Sequence, residues 1–204
     1  MKIINESKTF KINKKFDAEC VNLSGCNILV VDNFYENPNM VRDLILNIPR
    51  TKFYPNTETH ISSDSSISIS YDMRVFTETF TNLIAKFFPK AGESFNHNYI
   101  ESMLHDHPFV VNVVQSKDRR ILPKSLSGNG FFIEICLNIE DEYSWGTSFY
   151  DNTDKCVGVI PMEFNRMLLY DNHILHNAYM ENDSFVDDNY RITQYFFLNT
   201  SWRE

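Results

Sequence analysis

One histidine, His176, stands where the sequence could place a metal ligand. It lies at the end of an apolar strand predicted at 166–171, within the acidic and aromatic stretch NRMLLYDNHILHNAY (165–179). A neutral imidazole binds iron, zinc or copper through one ring nitrogen. The same residue type also occurs in protein cores, where it contributes only packing. The sequence leaves both interpretations of His176 open.

No other catalytic motif competes with this histidine. The sequence contains no G-x-S-x-G, no phosphate-binding glycine loop and no H-E-x-x-H, and the spacing of its acidic residues defines no pair for acid–base catalysis. Its 19 Lys and Arg against 27 Asp and Glu give a net charge of −8, and the basic residues cluster only at KDRR (117–120). Nucleic-acid binding needs clustered basic residues, so we expect no nucleic-acid partner.

The composition indicates one folded domain of 204 residues. An apolar share of 43%, with 17 Phe and 10 Tyr, is enough to bury a core. Four cysteines without C-x-x-C spacing predict a reducing compartment rather than a disulfide framework: Cys20, Cys26, Cys136 and Cys156. The N-terminus is polar and lacks an apolar run, so we expect it not to be a signal peptide, and no stretch approaches the roughly 18 apolar residues of a membrane span. We therefore expect a soluble, cytoplasmic protein that binds no membrane.

The pattern of apolar residues predicts a mostly β protein with flanking helices. Asn37-Pro38 provides an N-cap and a first-turn proline for a helix near 38–48, and a second helix is predicted near 76–88. The second half of the Ser-rich segment 62–70 alternates as a strand does. Further strands are predicted at 27–32, 109–114, 131–139, 147–151, 156–160, 166–171 and 191–199. This order favours an antiparallel sandwich or barrel supported by helices.

Four pieces of the second half follow one another in a familiar order: GTSFYD (146–151), FNRMLLYD (164–171), His176 and Arg191. In order and spacing they resemble the C-terminal half of small 2-oxoglutarate/Fe(II)-dependent oxygenases, the prolyl-hydroxylase-like type of phage and bacteria. The opening NILVVDNFYENPNMVRDLI is similar to the start of these proteins. Together the matches cover roughly two thirds of the chain.

The resemblance implies a double-stranded β-helix, a jelly-roll core that occupies 1–204 as one domain. It further implies Fe(II) held by two histidines and a carboxylate, with open positions for 2-oxoglutarate and oxygen. His176 matches the family's distal histidine ligand. Arg191 matches the arginine that pairs with the co-substrate carboxylate. The implied activity is hydroxylation of a peptide or small molecule, and the acidic composition favours a neutral or cationic substrate. The loop 177–190 is expected to bulge at the barrel mouth.

The chain departs from the family where the first two ligands, an H-x-D, belong. Alignment backwards from GTSFYD places that motif near 123–126, which contains no histidine or carboxylate and includes Lys124. His105 and His107 provide a substitute, because alternate residues of a strand share one face and could form a three-histidine site with His176. That choice leaves the strand at 109–114 as an element that the family lacks. The alternative is a polar turn at 104–107.

Two functions from different classes follow. The first is an active oxygenase with Fe(II) and 2-oxoglutarate as cofactors, bound by the three histidines and by Arg191. The second is a barrel without iron or any cofactor that binds a small carboxylate or a partner protein, in which Lys124 or Leu126 faces His176. Arg191 would then pair with the acidic segment 181–188.

Neighbouring residues are predicted to be structural. His173 is expected on the surface, while Arg166 and Asp171 are expected to fix the ends of their strand. Trp145, Phe149 and Tyr150 are expected in the core.

Overall fold

The computed structural model describes residues 9–47, 62–63, 74–89, 110–114, 130–139, 145–180 and 191–199. These ranges contain the helices α1 (Pro38–Asn47) and α2 (Arg74–Phe87). Their strands are β1 (Asp17–Leu23), β2 (Cys26–Asp32), β3 (Ser62–Ser63), β4 (Val110–Val114), β5 (Gly130–Cys136), β6 (Trp145–Tyr150), β7 (Cys156–Pro161), β8 (Met167–Asp171), β9 (Leu175–Met180) and β10 (Arg191–Asn199). Neither helix in this described part is long and apolar enough to cross a membrane. All four cysteines lie in it, and none forms a disulfide.

The strands form two antiparallel sheets. The large sheet has the order β1-β2-β8-β5-β10-β4-β3, and the small sheet has the order β7-β6-β9. From β5 onward the chain moves repeatedly between them, because β5, β8 and β10 belong to the large sheet and β6, β7 and β9 to the small one. The predicted class, mostly β with flanking helices, is confirmed.

The central strands of the large sheet are buried on both faces, and β5 shows how their residues divide. Phe131, Ile133 and Ile135 pack into the main core together with both helices. Phe132, between them, packs into a second cluster with residues of the small sheet. Successive residues of a strand point to opposite faces, so the helices cover one face and the small sheet covers the other. The helix residues in the main core are Val41, Leu44, Leu46, Phe76, Phe80, Leu83, Ile84 and Phe87.

Most predicted elements are present within one or two residues of their expected bounds. Helix α1 begins at Pro38, where the carbonyl of Asn37 accepts the N–H of Met40 at 3.1 Å, and α2 begins two residues before its predicted start. Seven predicted strands correspond to β2, β4, β5, β6, β7, β8 and β10. The strand predicted in the second half of 62–70 lies outside the described residues.

The predicted position of His176 at the end of an apolar strand is wrong. Strand β8 ends at Asp171, and a tight turn follows in which the Ile174 N–H donates to the Asp171 carbonyl at 3.1 Å. His176 then lies near the start of β9, in the small sheet. The residues 177–180, expected to open a loop, continue this strand. The apolar pattern did not show β9 because its residues from Leu175 to Tyr179 are only half-buried and mix polar with apolar types.

Candidate functional site

His176 faces the space between the two sheets. Its backbone pairs with Phe149 of β6. Its ring centroid lies 4.9 Å from that of Phe132 on β5 and 5.0 Å from that of Tyr170 on β8. Both partners belong to the large sheet, so the imidazole reaches across from the small sheet toward it. The side chain is half-buried at this position.

A hydrogen bond fixes the ring of His176. Its Nδ1 lies 2.9 Å from the backbone carbonyl oxygen of Ile174. A carbonyl oxygen can only accept, so Nδ1 donates in this contact and Nε2 is the acceptor nitrogen of the neutral ring. Metal-binding histidines characteristically donate the other ring N–H to a carbonyl or carboxylate in this way. This contact favours the tautomer that a ligand bound through Nε2 would have.

Aromatic rings form the wall around this imidazole. Tyr170 packs against Phe132 at 5.4 Å and against Phe149 at 5.0 Å, the latter pair at an interplanar angle of 89°. The predicted core positions of Trp145 and Phe149 are confirmed at 1% and 0% exposure, whereas Tyr150 is half-buried. Such a wall lowers the local dielectric on the packed side of the His176 ring and strengthens electrostatic interactions there.

Glu134 is a buried carboxylate that the sequence interpretation missed. It is 2% exposed, and the Thr147 hydroxyl of the small sheet donates to its Oε1 at 2.5 Å. Glu134 follows Phe132 by two residues on the same face of β5, about 7 Å along the strand from the His176 cluster. Burial of a charge is costly without hydrogen bonds or an opposite charge. The available signal was a charged residue in the middle of the apolar run FFIEICL.

Arg191 begins β10, where its backbone pairs with Val114; its side chain lies outside the description. The β10 position that pairs with Phe132 is Phe197. Position 191 is six residues from it, about 20 Å along the strand. The predicted co-substrate arginine therefore begins its strand far from the aromatic cluster around His176.

The remaining predicted ligands, His105 and His107, lie outside the described residues, as do Lys124, Leu126 and the acidic segment 181–188. Within the described ranges, no three or more His, Cys, Asp or Glu side chains lie close enough together to hold a metal ion. The three-histidine set thus stays a prediction.

The scaffold role predicted for Arg166 is confirmed. Its Nε and Nη2 donate to the two carboxylate oxygens of Asp32 at 2.7 and 3.0 Å, and its Nη1 donates to the Pro161 carbonyl at 3.1 Å. Burial opposes its charge, but the hydrogen bond and charge of Asp32 outweigh burial and raise the pKa of Arg166. The preceding Asn165 exchanges side-chain hydrogen bonds with both backbone polar groups of Tyr35. The N-R pair therefore ties the start of β8 to β2 and the segment after it.

A cleft of about 500 Å³ is lined by residues of the turns that follow β1, β6 and β8, and His176 is not among its lining residues. Leu175 and Tyr150 contribute to it, and their pairing is adjacent to that of His176 with Phe149. His173, exposed as predicted, is also part of the wall. The remaining lining residues are Ser24, Gly25, Cys26, Asn27, Phe88, Asp151, Asn152, Asp171 and Ile174.

Comparisons with known proteins assign the chain to no family. No family model and no curated protein matches the chain. Among solved structures, a crystal structure of a "Putative oxygenase" from Shewanella oneidensis is similar, with a TM-score of 0.36 and 10% sequence identity. The similarity covers 96% of this chain and 72% of that one. At this identity and TM-score it assigns neither a fold family nor an activity.

Proposed function

We propose that the chain is an oxygenase of the 2-oxoglutarate/Fe(II) type, built on a double-stranded β-helix, in which His176 is one iron ligand. The winding of the strands supports the proposed fold. Strands β4, β10, β5 and β8 are neighbours in one sheet, β7, β6 and β9 are neighbours in the other, and the chain crosses between the sheets repeatedly. Jelly rolls are double-sheet structures of this kind.

The orientation of His176 carries the proposal. Its ring points between the sheets, and its Nδ1 is held by the Ile174 carbonyl so that Nε2 is the basic nitrogen. His105 and His107 are the proposed partners. Bound Fe(II) with 2-oxoglutarate would supply the oxidation of an unactivated C–H bond of a peptide or small molecule. The aromatic wall of Phe132 and Tyr170 would keep water from that position.

A second candidate is a barrel without iron that serves as a binding module. Two observations favour it. The rings of Phe132 and Tyr170 pack on His176 as they would on a core histidine. The buried Glu134 places a carboxylate between the sheets, which opposes the entry of the dicarboxylate 2-oxoglutarate. Such a module would bind a protein partner or a small molecule and would need no cofactor.

Anaerobic calorimetry with Fe(II), with and without 2-oxoglutarate, tests the first candidate. We expect one Fe(II) per chain, and we expect His176→Ala to weaken binding by more than about 100-fold, the upper range for the loss of a mere orienting partner. His173→Ala is the matched control, because this exposed histidine lies three residues away on the preceding turn. His105→Ala and His107→Ala should weaken Fe(II) binding as His176→Ala does.

Two results would refute the iron site. One is the absence of Fe(II) binding to the wild type, and the other is equal binding by wild type and His176→Ala. Either result leaves the binding module as the better account, and pull-down with the intact chain then becomes the search for its partner.

A further inference from the structure

We infer that strand β1 is the interface of a homodimer, in which the β1 strands of two chains pair antiparallel about a two-fold axis at Cys20. Strand β1 is an edge of the large sheet, and within the described part of the chain it pairs only with β2. The free side of an edge strand presents unpaired N–H and C=O groups that another chain can bind. Such an interface goes beyond the proposed function and is compatible with an oxygenase and with a binding module alike.

The turn between β1 and β2 determines which backbone groups of β1 point away from the sheet. Ser24 and Gly25 have φ angles of 51° and 96°, the signs that a two-residue type I′ turn requires. Leu23 and Cys26 are the pair that closes this hairpin. In a two-residue hairpin the closing residues exchange both hydrogen bonds, so the N–H and C=O of Leu23 point toward β2.

The backbone groups of Ala18, Cys20 and Asn22 therefore point outward. Hydrogen-bonded and non-hydrogen-bonded pairs alternate along an antiparallel ladder, so the residues between those bonded to β2 direct their N–H and C=O to the free side. This edge is accessible, because Cys20 and Asn22 are exposed. It also lacks the usual obstacles to edge pairing, since its seven residues include no Lys or Pro and pair with β2 without a bulge.

The charges of β1 select one register for a symmetric pair. An axis at Cys20 pairs all seven residues and places both acids, Asp17 and Glu19, opposite apolar residues of the second chain. An axis at Ala18 would place Asp17 opposite Glu19, and an axis at Glu19 would place two glutamates opposite each other. Like charges directly opposite are destabilising. An axis at Val21 avoids them but leaves the first residues of both strands unpaired.

The same axis places the two Cys20 residues opposite each other. Because Cys20 bonds outward, the two form a hydrogen-bonded pair, with Cα atoms about 5.5 Å apart. This distance lies in the range of about 4.4–6.8 Å that a disulfide spans. Burial raises the pKa of the Cys20 thiol, so little thiolate is present at neutral pH and we expect the pair to stay reduced until an oxidant is added. Oxidation of Cys20 therefore reports the register.

The two ends of β1 carry opposite charges, which favours a second copy of this chain as the partner. Lys14 and Lys15 precede the strand, and both are exposed. At the other end, the β1–β2 turn lines one cleft with Asp151. The turn that carries Asp151 and Asp154 has one lysine, Lys155, so its net charge is negative. Antiparallel pairing brings the basic end of each strand beside the acidic end of the other, as an interface between identical surfaces requires.

Sedimentation velocity of the intact chain under reducing conditions tests the pairing. From about 5 to about 200 µM, a range suited to weak interfaces, we expect the mass to rise from 24.0 kDa toward twice that value. Cys20→Pro removes the outward N–H, which no bond to β2 uses, and should weaken dimerisation by about tenfold or more. Cys20→Ala is the matched control, because it also lacks the thiol but keeps the N–H, and it should dimerise as the wild type does. Circular dichroism checks that both variants fold.

Oxidation with diamide is a second measurement that leaves the backbone unchanged. Diamide accepts the two thiol hydrogens and becomes the hydrazine, while the two sulfur atoms form a disulfide. We expect the cross-linked peptide identified by mass spectrometry to join Cys20 to Cys20. Cys156→Ala is the control, because Cys156 is also exposed, and this variant should give the same cross-link. Cys20→Ala should give none.

A mass of one chain throughout the concentration range would overturn the homodimer. A folded Cys20→Pro that dimerises as tightly as Cys20→Ala would show that another surface forms the contact. Cross-links that join other cysteines, in place of Cys20 to Cys20, would overturn the axis at Cys20 even if Cys20→Pro did not fold. The iron site is tested separately, because none of these variants changes a proposed iron ligand.

Discussion

Both faces of β5 are buried, yet the side chains that the strand presents on each face are of different types. Toward the helices, the strand presents Phe131, Ile133 and Ile135. Toward the small sheet, it presents Phe132 and then the carboxylate of Glu134, bonded across the gap by Thr147. A buried polar group that costs stability is a local departure from good packing, and such departures concentrate at functional sites. On β5, the face toward the helices is therefore apolar, whereas the face toward the small sheet carries a buried carboxylate.

The helix-side core is dense in aromatic pairs. Phe80 of α2 stacks on Phe34 at 6.0 Å with an interplanar angle of 8°, and it meets the edge of Phe196 from β10 at 5.3 Å. Phe76 stacks on Phe196 at 5.2 Å. Aromatic pairs of this kind add to the stabilisation from area burial alone. One helix therefore contacts the centre of the large sheet through two phenylalanines.

The largest effect that we expect is from Phe80→Ala. This side chain is 0% exposed, and its removal leaves a cavity in a rigid core, which costs about 3–5 kcal/mol of the free energy of unfolding. Urea denaturation followed by circular dichroism measures the change. Phe87→Ala on the same helix is the control, because Phe87 is only half-buried. If Phe87→Ala cost as much as Phe80→Ala, the stability of this core would not depend on the stacked centre.

Thr147→Val probes the other face of the sheet with a smaller expected effect. Valine keeps the shape of threonine but removes the hydroxyl that donates to Glu134, so a buried carboxylate loses a donor. We expect a loss of about 1–3 kcal/mol in the free energy of unfolding by urea denaturation. Thr153→Val is the control, because it removes a similar but exposed hydrogen bond, in which the Thr153 hydroxyl donates to Asp151 at 2.6 Å. It should change the free energy of unfolding by less than about 0.5 kcal/mol.

Equal effects of Thr147→Val and Thr153→Val would contradict the comparison between the two faces. The Glu134 carboxylate would then be as well solvated as the surface Asp151, and the space between the sheets would be wet. A loss confined to Thr147→Val would instead confirm that Glu134 is held in a dry site.

The sequence predicted the helix-side half of the fold well because the spacing of its apolar residues agrees with how they pack. Five apolar residues of α2 recur with helical spacing, and all of them pack in or against the main core: Phe76, Phe80, Leu83, Ile84 and Phe87. β1 was missed because the strand DAECVNL is mostly exposed or half-buried and carries little apolar signal. β9 was missed for the same reason, since its residues from Leu175 to Tyr179 are half-buried and mix polar with apolar types.

The candidate site was harder to predict because its parts are distant in the chain. His176 could be named from its residue type and from its order after FNRMLLYD. Its contacts with Phe132 and Tyr170 depend on the register of β5 with β8 and on a second sheet that faces them. Glu134 was missed because a single acid in an apolar strand does not reveal which face it occupies. Side-chain direction is set by pairing, which a single sequence does not encode locally.

Tyr35→Phe makes the smallest change and tests whether the helix-side core is dry. The Tyr35 hydroxyl is buried and donates to Gln194 at 2.7 Å, and burial raises the pKa of Tyr35 well above its usual value despite the opposing effect of this bond. At neutral pH we expect Tyr35→Phe to cost about 0.5–1.5 kcal/mol of the free energy of unfolding.

The sign of the pH effect follows from that raised pKa. Above a pH of about 10, the unfolded chain releases the Tyr35 proton while the folded chain retains it, so wild-type stability falls with rising pH by up to about 1.4 kcal/mol per pH unit from this group. Tyr35→Phe lacks this loss, and the two stability curves, measured by urea denaturation from pH 7 to 11, should converge and cross near the alkaline end. Parallel curves would mean that folded Tyr35 ionises as it does in the unfolded chain. The helix-side core would then admit water. The helix-side face of β5 could no longer be described as dry, in contrast to the face that carries Glu134.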